Sequence, residues 1–184
     1  MRAHQTDIDA VLIIEPVKHF DERGFLSEVF TESKLSELGI TTRFVQENHT
    51  LSTDVGTVRG LHFQIPPKAT AKLVRVTRGA IFDVALDLRR SSPSYGQHVS
   101  AVLDTENWRQ LYIPEGFAHG FCTLQPDTEV VYWVSEHWSA EVDRGVRWND
   151  PSLDIGWPVR PEDAIVSEKD RTQPLFTELE TYFD

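Results

Sequence analysis

The sequence predicts an all-β sandwich or barrel. Short stretches rich in Val, Ile, Phe and Tyr recur along the 184 residues, many with apolar and polar side chains in alternation. Clusters of Gly, Pro, Ser and Asp punctuate them at close intervals, as between stacked strands. Only Ser33 to Leu38 reads as a convincing helix, stopped by Gly39. No fixed-period repeat, low-complexity tract or linker divides the chain, so one domain over 1–184 is expected.

Val11 to Glu15 reads as the first strand, ended or kept at an edge by Pro16. Asp21-Glu22-Arg23-Gly24 is a charged turn into Phe25 to Phe30, which alternates weakly. Phe44 to His49 and Val58 to Gln64 follow, and Pro66-Pro67 breaks the chain. Lys72 to Val76 is a strand turned by Gly79. Ile81 to Leu88 places Phe82, Val84, Leu86 and Leu88 on one face, and Asp83 and Asp87 on the other. After the loop Ser91 to Gly96 come strands at His98 to Leu103 and Arg109 to Ile113, then Pro114-Glu115-Gly116 turns into Phe117 to Phe121, and Thr128 to Ser135 is another strand. From Arg147 onward the chain reads as loop-rich, through Asp150-Pro151, Trp157-Pro158, Arg160-Pro161 and Ser167-Glu168-Lys169-Asp170.

Composition narrows the function. Hydrophobic residues at 40% and charged residues at 26% are ordinary for a soluble globular protein. A net charge of -11 argues against nonspecific nucleic-acid or anionic-membrane binding, which needs a basic face. A small anionic ligand stays compatible, because a few local cations outweigh the global field. No stretch approaches the ~20 apolar residues of a membrane span. The run Ala10 to Ile14 is too short for the apolar part of a signal peptide. Cys122 is the only cysteine, which rules out an internal disulfide and a thiolate cluster. A cytoplasmic location is expected.

The candidate chemistry sits on inward strand faces. Strict alternation puts His62 and Gln64 on one face with Val58, and Arg59, Leu61 and Phe63 on the other. Gln46 and Asn48 share a face, as do Lys72, Val74 and Val76, and Val130, Tyr132 and Val134, with Trp133 opposite. So many inward polar groups must be satisfied by each other, by water or by a ligand. A histidine with a pKa of ~6.5 suits proton transfer near neutrality if a carboxylate orients it. Asp83, Asp87, Asp143 and Asp170 all qualify on composition. Lys72 is a candidate for stabilising an oxyanion. Tyr132 is a candidate acid, with a phenol pKa of ~10 that a nearby cation lowers. Spacing alone makes Arg23, Arg59 and Lys169 ordinary surface charges. Trp108, Trp138, Trp148 and Trp157 read as packing or loop anchors, and Asp104, Glu106 and the C-terminal acids as a solvated face.

Two fragments resemble the paired signatures of the cupin jelly roll: Gly56 followed by five residues and His62-Phe63-Gln64, and Pro114-x-Gly116-x-x-His119. Metal-binding cupins take two His and a Glu from the first motif and a His from the second. Here Gln64 replaces a His, and the segment after Pro66 offers Lys68 and Lys72 in place of a Glu. The resemblance implies a double-stranded β-helix with short peripheral helices, whose metal site has been lost.

A longer set of motifs resembles the dTDP-4-dehydrorhamnose 3,5-epimerase family. They are Asp21-x-Arg23-Gly24-Phe25-x-x-Glu28, Gln46-x-Asn48-His49, Val58 to Gln64, Ala71 to Val76, Asp83-Val84-x-x-Asp87-Leu88-Arg89, Ser92-Pro93-x-x-Gly96, Gln110 to Phe121, Arg147 to Pro151 and Ser167-x-Lys169-Asp170. They cover nearly the whole chain in order.

The resemblance implies a homodimer that needs no cofactor and acts on a dTDP-sugar. It implies epimerisation of dTDP-4-dehydro-6-deoxy-D-glucose at C3 and C5, a step towards dTDP-L-rhamnose. By the same carry-over His62 removes the proton with Asp170 as its partner, Lys72 stabilises the enolate oxygen and Tyr132 returns a proton on the opposite face. Arg23, Phe25, Glu28, Gln46, Glu47, Asn48, Arg59, His119, Asp143 and Lys169 would line the sugar-nucleotide site, some of the N-terminal ones reaching across the dimer. Trp133, Tyr95 and His98 depart from the family pattern and are expected to retune the pocket. The alternatives are a C3-only epimerase, a metal-dependent cupin oxygenase and a sugar-nucleotide binding module without catalysis.

Overall fold

The computed structural model describes residues 1–184. Two mainly antiparallel sheets make the body. The first runs, in spatial order, β1 (Arg2–Gln5), β2 (Leu12–Glu15), β10 (Gln110–Ile113), β7 (Lys72–Arg78), β12 (Thr128–Val134) and β5 (Gln46–Ser52). The second runs β13 (Asp143–Gly145), β6 (Thr57–Gln64), β11 (Phe117–Thr123), β8 (Ala80–Asp87) and β9 (His98–Asp104), with β14 (Ile165–Val166) joined parallel to β6. A separate hairpin pairs β3 (Lys18–Asp21) with β4 (Gly24–Ser27). The helices are α1 (Glu32–Glu37), α2 (Glu168–Arg171) and a single 3-10 turn at Phe176–Glu178. This is the jelly roll expected from the sequence. No helix is long and apolar enough to cross a membrane.

The sheets close over a core that includes Val74, Val76 and Val130 from the first and Ala85, Phe117 and Phe121 from the second. The alternation in β8 turns out to have its apolar face outward. Phe82, Val84, Leu86 and Leu88 pack with Leu61, Phe63, Val146 and Leu153 beneath the C-terminal segment, whose Trp157, Phe176, Leu179, Tyr182 and Phe183 cover them. That cover lets the second sheet be apolar on both faces, and leaves Asp83 pointing into the molecule. The cover is pinned at Asp150, whose Oδ2 accepts the Phe176 N–H at 2.6 Å, and at Arg147, whose N–H donates to the Pro174 carbonyl at 2.8 Å.

A β-bulge between β6 and β11 corrects the face assignment made by strict alternation. His62 opposes His119 and Arg59 opposes Phe121, so Gly60 and Leu61 together face the single residue Gly120. Gly60 has φ 126°, and a Cβ there would lie 2.5 Å from the Gly120 Cα. The extra residue turns Arg59 onto the inner face with His62. Val58, expected beside His62, packs outside with Cys122 and Trp148.

Three departures from the family pattern also lie away from the interior. Trp133 stacks on Phe30 at 5.3 Å on the outer face of the first sheet, beside Leu35 of α1 and Ile40. Tyr95 packs on Phe176, and His98 pairs with Leu86 on the far strand β9. None of the three lines the central cavity, so none retunes it by contact.

Candidate active site

Two adjoining lobes of about 260 and 470 Å³ open between the sheets, and His62, Lys72, Tyr132 and Lys169 line both. The second sheet supplies His62 and His119, which stand directly opposite each other in register. The first sheet supplies Lys72, Tyr132, Gln46 and Asn48. Tyr132 opposes Val74 on one side and Asn48 on the other, so these side chains share the inner face.

His62 Nε2 lies 2.5 Å from Asp170 Oδ1. Asp170 is 3% exposed, and its Oδ2 accepts the Gly60 N–H at 3.2 Å. Ser167 caps α2 by accepting the Asp170 N–H at 3.1 Å, which fixes that carboxylate in place. Burial pushes the Asp170 carboxyl up, but its hydrogen bonds to His62, Gly60 and Ser167 outweigh this and hold it below the usual range. An acceptor at Nε2 puts the imidazole proton there and leaves the Nδ1 lone pair available.

The other three carboxylates are engaged elsewhere. Asp83 accepts from His119 at 2.7 Å, Asp87 binds Arg89, Ser92 and Ser94, and Asp143 forms an ion pair with Lys169. Lys72 Nζ contacts the His62 carbonyl at 3.3 Å and His119 Nδ1 at 3.4 Å. Its burial lowers the ammonium pKa to about 8.

Tyr132 differs from expectation. Arg59 lowers its phenol pKa, as a cation should, but burial is the larger influence and the net shift is upward. The phenol is therefore held protonated, as a proton donor must be. Arg59 is itself anchored, donating to Ser52 Oγ and the Leu51 carbonyl, each at 3.1 Å. The inward amides satisfy one another: Gln46 donates to Asn48 Oδ1 at 2.8 Å, and its oxygen contacts His137 Nδ1 at 3.2 Å.

Gln64, beside the two histidines, is a structural pin. Its amide nitrogen reaches Lys68 O and Thr70 Oγ1, and its oxygen accepts the Ser139 N–H at 2.7 Å. With Gln64 so engaged and the Lys72 ammonium against His119, these residues do not fit a metal ion.

Four predicted binding residues lie outside this chain's cavity. Arg23 pairs with Asp21 at 2.5 Å on the exposed hairpin, Phe25 packs edge-on to Trp108, and Glu28 binds Thr31 and Lys34. The hairpin forms its own two-stranded sheet, packed on Trp108, and Glu28 follows it, which keeps all three residues away from the cavity. Glu47 alternates to the outer face between Gln46 and Asn48, near Arg75. Conversely, Trp138, read as an anchor, sits on the cavity rim with 63% of its surface exposed, and Glu136 lines the same lobe. Both lie in the irregular loop after β12, where period-2 patterning carries no signal. Thr50 and Ile165, which no motif marks, also line the cavity, as does Ser167 of the Ser167-x-Lys169-Asp170 motif.

Residues 5–178 match the family model described as dTDP-4-dehydrorhamnose 3,5-epimerase. The curated dTDP-4-dehydrorhamnose 3,5-epimerase of Sinorhizobium fredii is 51% identical over 96% of this chain and 90% of its own length. The crystal structure of the Bacillus anthracis enzyme of that name, with TDP and PPi bound, is 48% identical with a TM-score of 0.92, covering 95% of this chain and 98% of that one. A dTDP-6-deoxy-D-glucose-3,5-epimerase of Legionella pneumophila, solved with dTDP-4-keto-L-rhamnose, is 41% identical with a TM-score of 0.92, over 97% and 94% of the two chains. With the motifs, the jelly roll and these likenesses in agreement along nearly its whole length, the chain belongs to the dTDP-4-dehydrorhamnose 3,5-epimerase family.

Proposed function

We propose that this chain, as one epimerase domain, inverts C3 and C5 of dTDP-4-dehydro-6-deoxy-D-glucose to give dTDP-4-dehydro-L-rhamnose. The supporting observation is that His62 and Tyr132 line one cavity from facing sheets, with Lys72 in both lobes. C3 and C5 flank the C4 ketone, so a proton on either is acidified by the carbonyl. His62 Nδ1 takes that proton while the C–H electrons form a double bond between that carbon and C4 and the carbonyl π electrons move onto the C4 oxygen, giving an enolate. Lys72, with His119 beside it, stabilises the oxygen charge. The Tyr132 phenol delivers a proton to the opposite face of the carbon, and solvent restores both groups. Arg59 and Lys169 supply positive charge for the pyrophosphate in an otherwise acidic chain. No redox or carbonyl-transfer step is involved, so the reaction calls for no cofactor.

The reading includes a homodimer in the cytoplasm. Phe20 and Leu26 of the hairpin are 75% and 76% exposed, a large apolar surface for two short strands. A partner subunit would cover it and bring Arg23, Phe25, Glu28 and Glu47 to a second cavity.

Incubation with dTDP-4-dehydro-6-deoxy-D-glucose in D2O tests the reaction. Deuterium at both C3 and C5 is expected. Entry at C3 alone selects a mono-epimerase, and no exchange at either carbon sinks the proposal for this substrate.

A further inference from the structure

Asp83 has no place in the proton transfers above, yet its position is unusual. It lies on β8 with no exposed surface. Its Oδ1 lies 2.7 Å from His119 Nε2, and its Oδ2 has no hydrogen-bond partner. Its neighbours in register are Phe121 and Ala101. The two other buried aspartates with structural roles spend both oxygens: Asp87 on Arg89, Ser92 and Ser94, and Asp150 on Ser152 and the Phe176 N–H. A carboxylate that served only as a staple would do the same, because a bare buried oxygen costs free energy. What Asp83 supplies beyond one hydrogen bond is its charge.

We propose that Asp83 is a positioning residue for the epimerisation, acting through the His119 imidazole to fix its tautomer and to keep Lys72 an ammonium facing the enolate oxygen. This rests on the reading of Lys72 as the oxyanion-stabilising group.

The chain of contacts has a defined sense. A carboxylate at Nε2 requires the proton there, so Nδ1 presents its lone pair to Lys72 Nζ at 3.4 Å. His119 is 6% exposed, and burial lowers its pKa, which keeps it a neutral imidazole between the two charges. Lys72 is faced by His62 and Arg59 from β6, Asp83 from β8, His119 from β11, Tyr132 from β12, Glu136 from the loop after it, Asp143 from β13 and Lys169 from α2. Burial lowers the Lys72 pKa most. Asp83 is the foremost influence opposing it, followed by Asp143, while Lys169 acts with burial. Asp143 is already held by Lys169, which leaves Asp83 as the carboxylate directed at Lys72.

The pH profile of kcat for Asp83→Asn tests the idea. The expected result is an alkaline limb displaced by roughly one pH unit to lower pH, with KM within about threefold of the unaltered protein. A limb at the unaltered position overturns the proposal. Lys72→Met separates the two levels: if it retains activity, the oxyanion reading fails. If it is inactive while Asp83→Asn keeps the ordinary limb, only the role of Asp83 fails. Should Asp83→Asn not fold, 15N NMR of the unaltered protein decides. Neutral His119 with the proton on Nε2 at neutral pH is expected, and an imidazolium or an Nδ1–H tautomer there overturns the assignment.

Discussion

His62 and Asp170 meet at 2.5 Å although 108 residues separate them. The contact exists because β14 joins β6 in parallel and delivers α2 to the end of the cavity. Replacing Asp170 by Asn keeps the shape but removes the charge that orients the imidazole. Asp170→Asn is expected to lower kcat by about 10²- to 10⁴-fold with little change in KM. Steady-state kinetics and a circular dichroism spectrum matching the unaltered protein would establish this, whereas near-normal kcat would remove Asp170 from the mechanism.

Tyr132 and His62 face each other from different sheets, which separates proton removal from proton return. Tyr132→Phe should leave removal by His62 intact while product formation drops by about 10²-fold or more. In D2O the recovered substrate would then carry deuterium faster than inverted product accumulates. Turnover equal to that of the unaltered protein would refute the acid role.

The bulge at Gly60 sets which side chains the cavity receives. Ala at this position would force φ 126° on a residue with a Cβ and drive that atom against Gly120. Gly60→Ala is expected to lose about 2 kcal/mol or more, read as a lower melting temperature or loss of soluble protein. Gly24 is the control: its φ is 131°, but a Cβ there meets nothing within 4 Å. Gly24→Ala should be clearly the milder change, and equal losses would show that strain alone, not the Gly120 contact, matters.

This bulge also marks the limit of what the sequence made legible. Period-2 alternation placed Gln46, Asn48, Lys72 and Tyr132 on the inner face correctly, because their strands pair without interruption across that stretch. It misplaced Arg59 and Val58, because one extra residue inverts everything beyond it. It found the apolar face of β8 but not its direction, since a C-terminal segment poor in strand signal supplies the cover. It left four aspartates open as partners of His62, because that choice depends on chain crossings that local spacing does not encode.

Asp150, Asp87 and Asp170 make folding sensitive to acid. Burial raises each carboxyl, but hydrogen bonds prevail and the folded values lie below 3.8. Depressed carboxyls contribute their stability in full above the unfolded value and lose it as pH falls through the folded ones. Melting temperature should therefore hold at neutral pH and fall steeply below about pH 4. Asp150→Asn should cost about 2 kcal/mol at neutral pH, by loosening the Phe176 clamp, and should flatten the acid slope. An unchanged slope would assign the acid sensitivity to the other carboxylates.

Arg23 lies on a hairpin outside the cavity of its own chain, whereas His62 lies within. If the site is shared between subunits, His62→Ala and Arg23→Ala damage different halves of it. Each variant alone should be strongly impaired. After unfolding and refolding together in equal amounts, random pairing makes half the dimers mixed. In each mixed dimer one site receives both defects and the other receives an intact cavity and an intact hairpin. Activity should then return to about a quarter of the unaltered level. Recovery of that size requires the hairpin of one subunit to serve the cavity of the other. No recovery, with mixed dimers demonstrated by mass spectrometry, would place Arg23 and His62 in the same site of one chain or remove Arg23 from the site altogether.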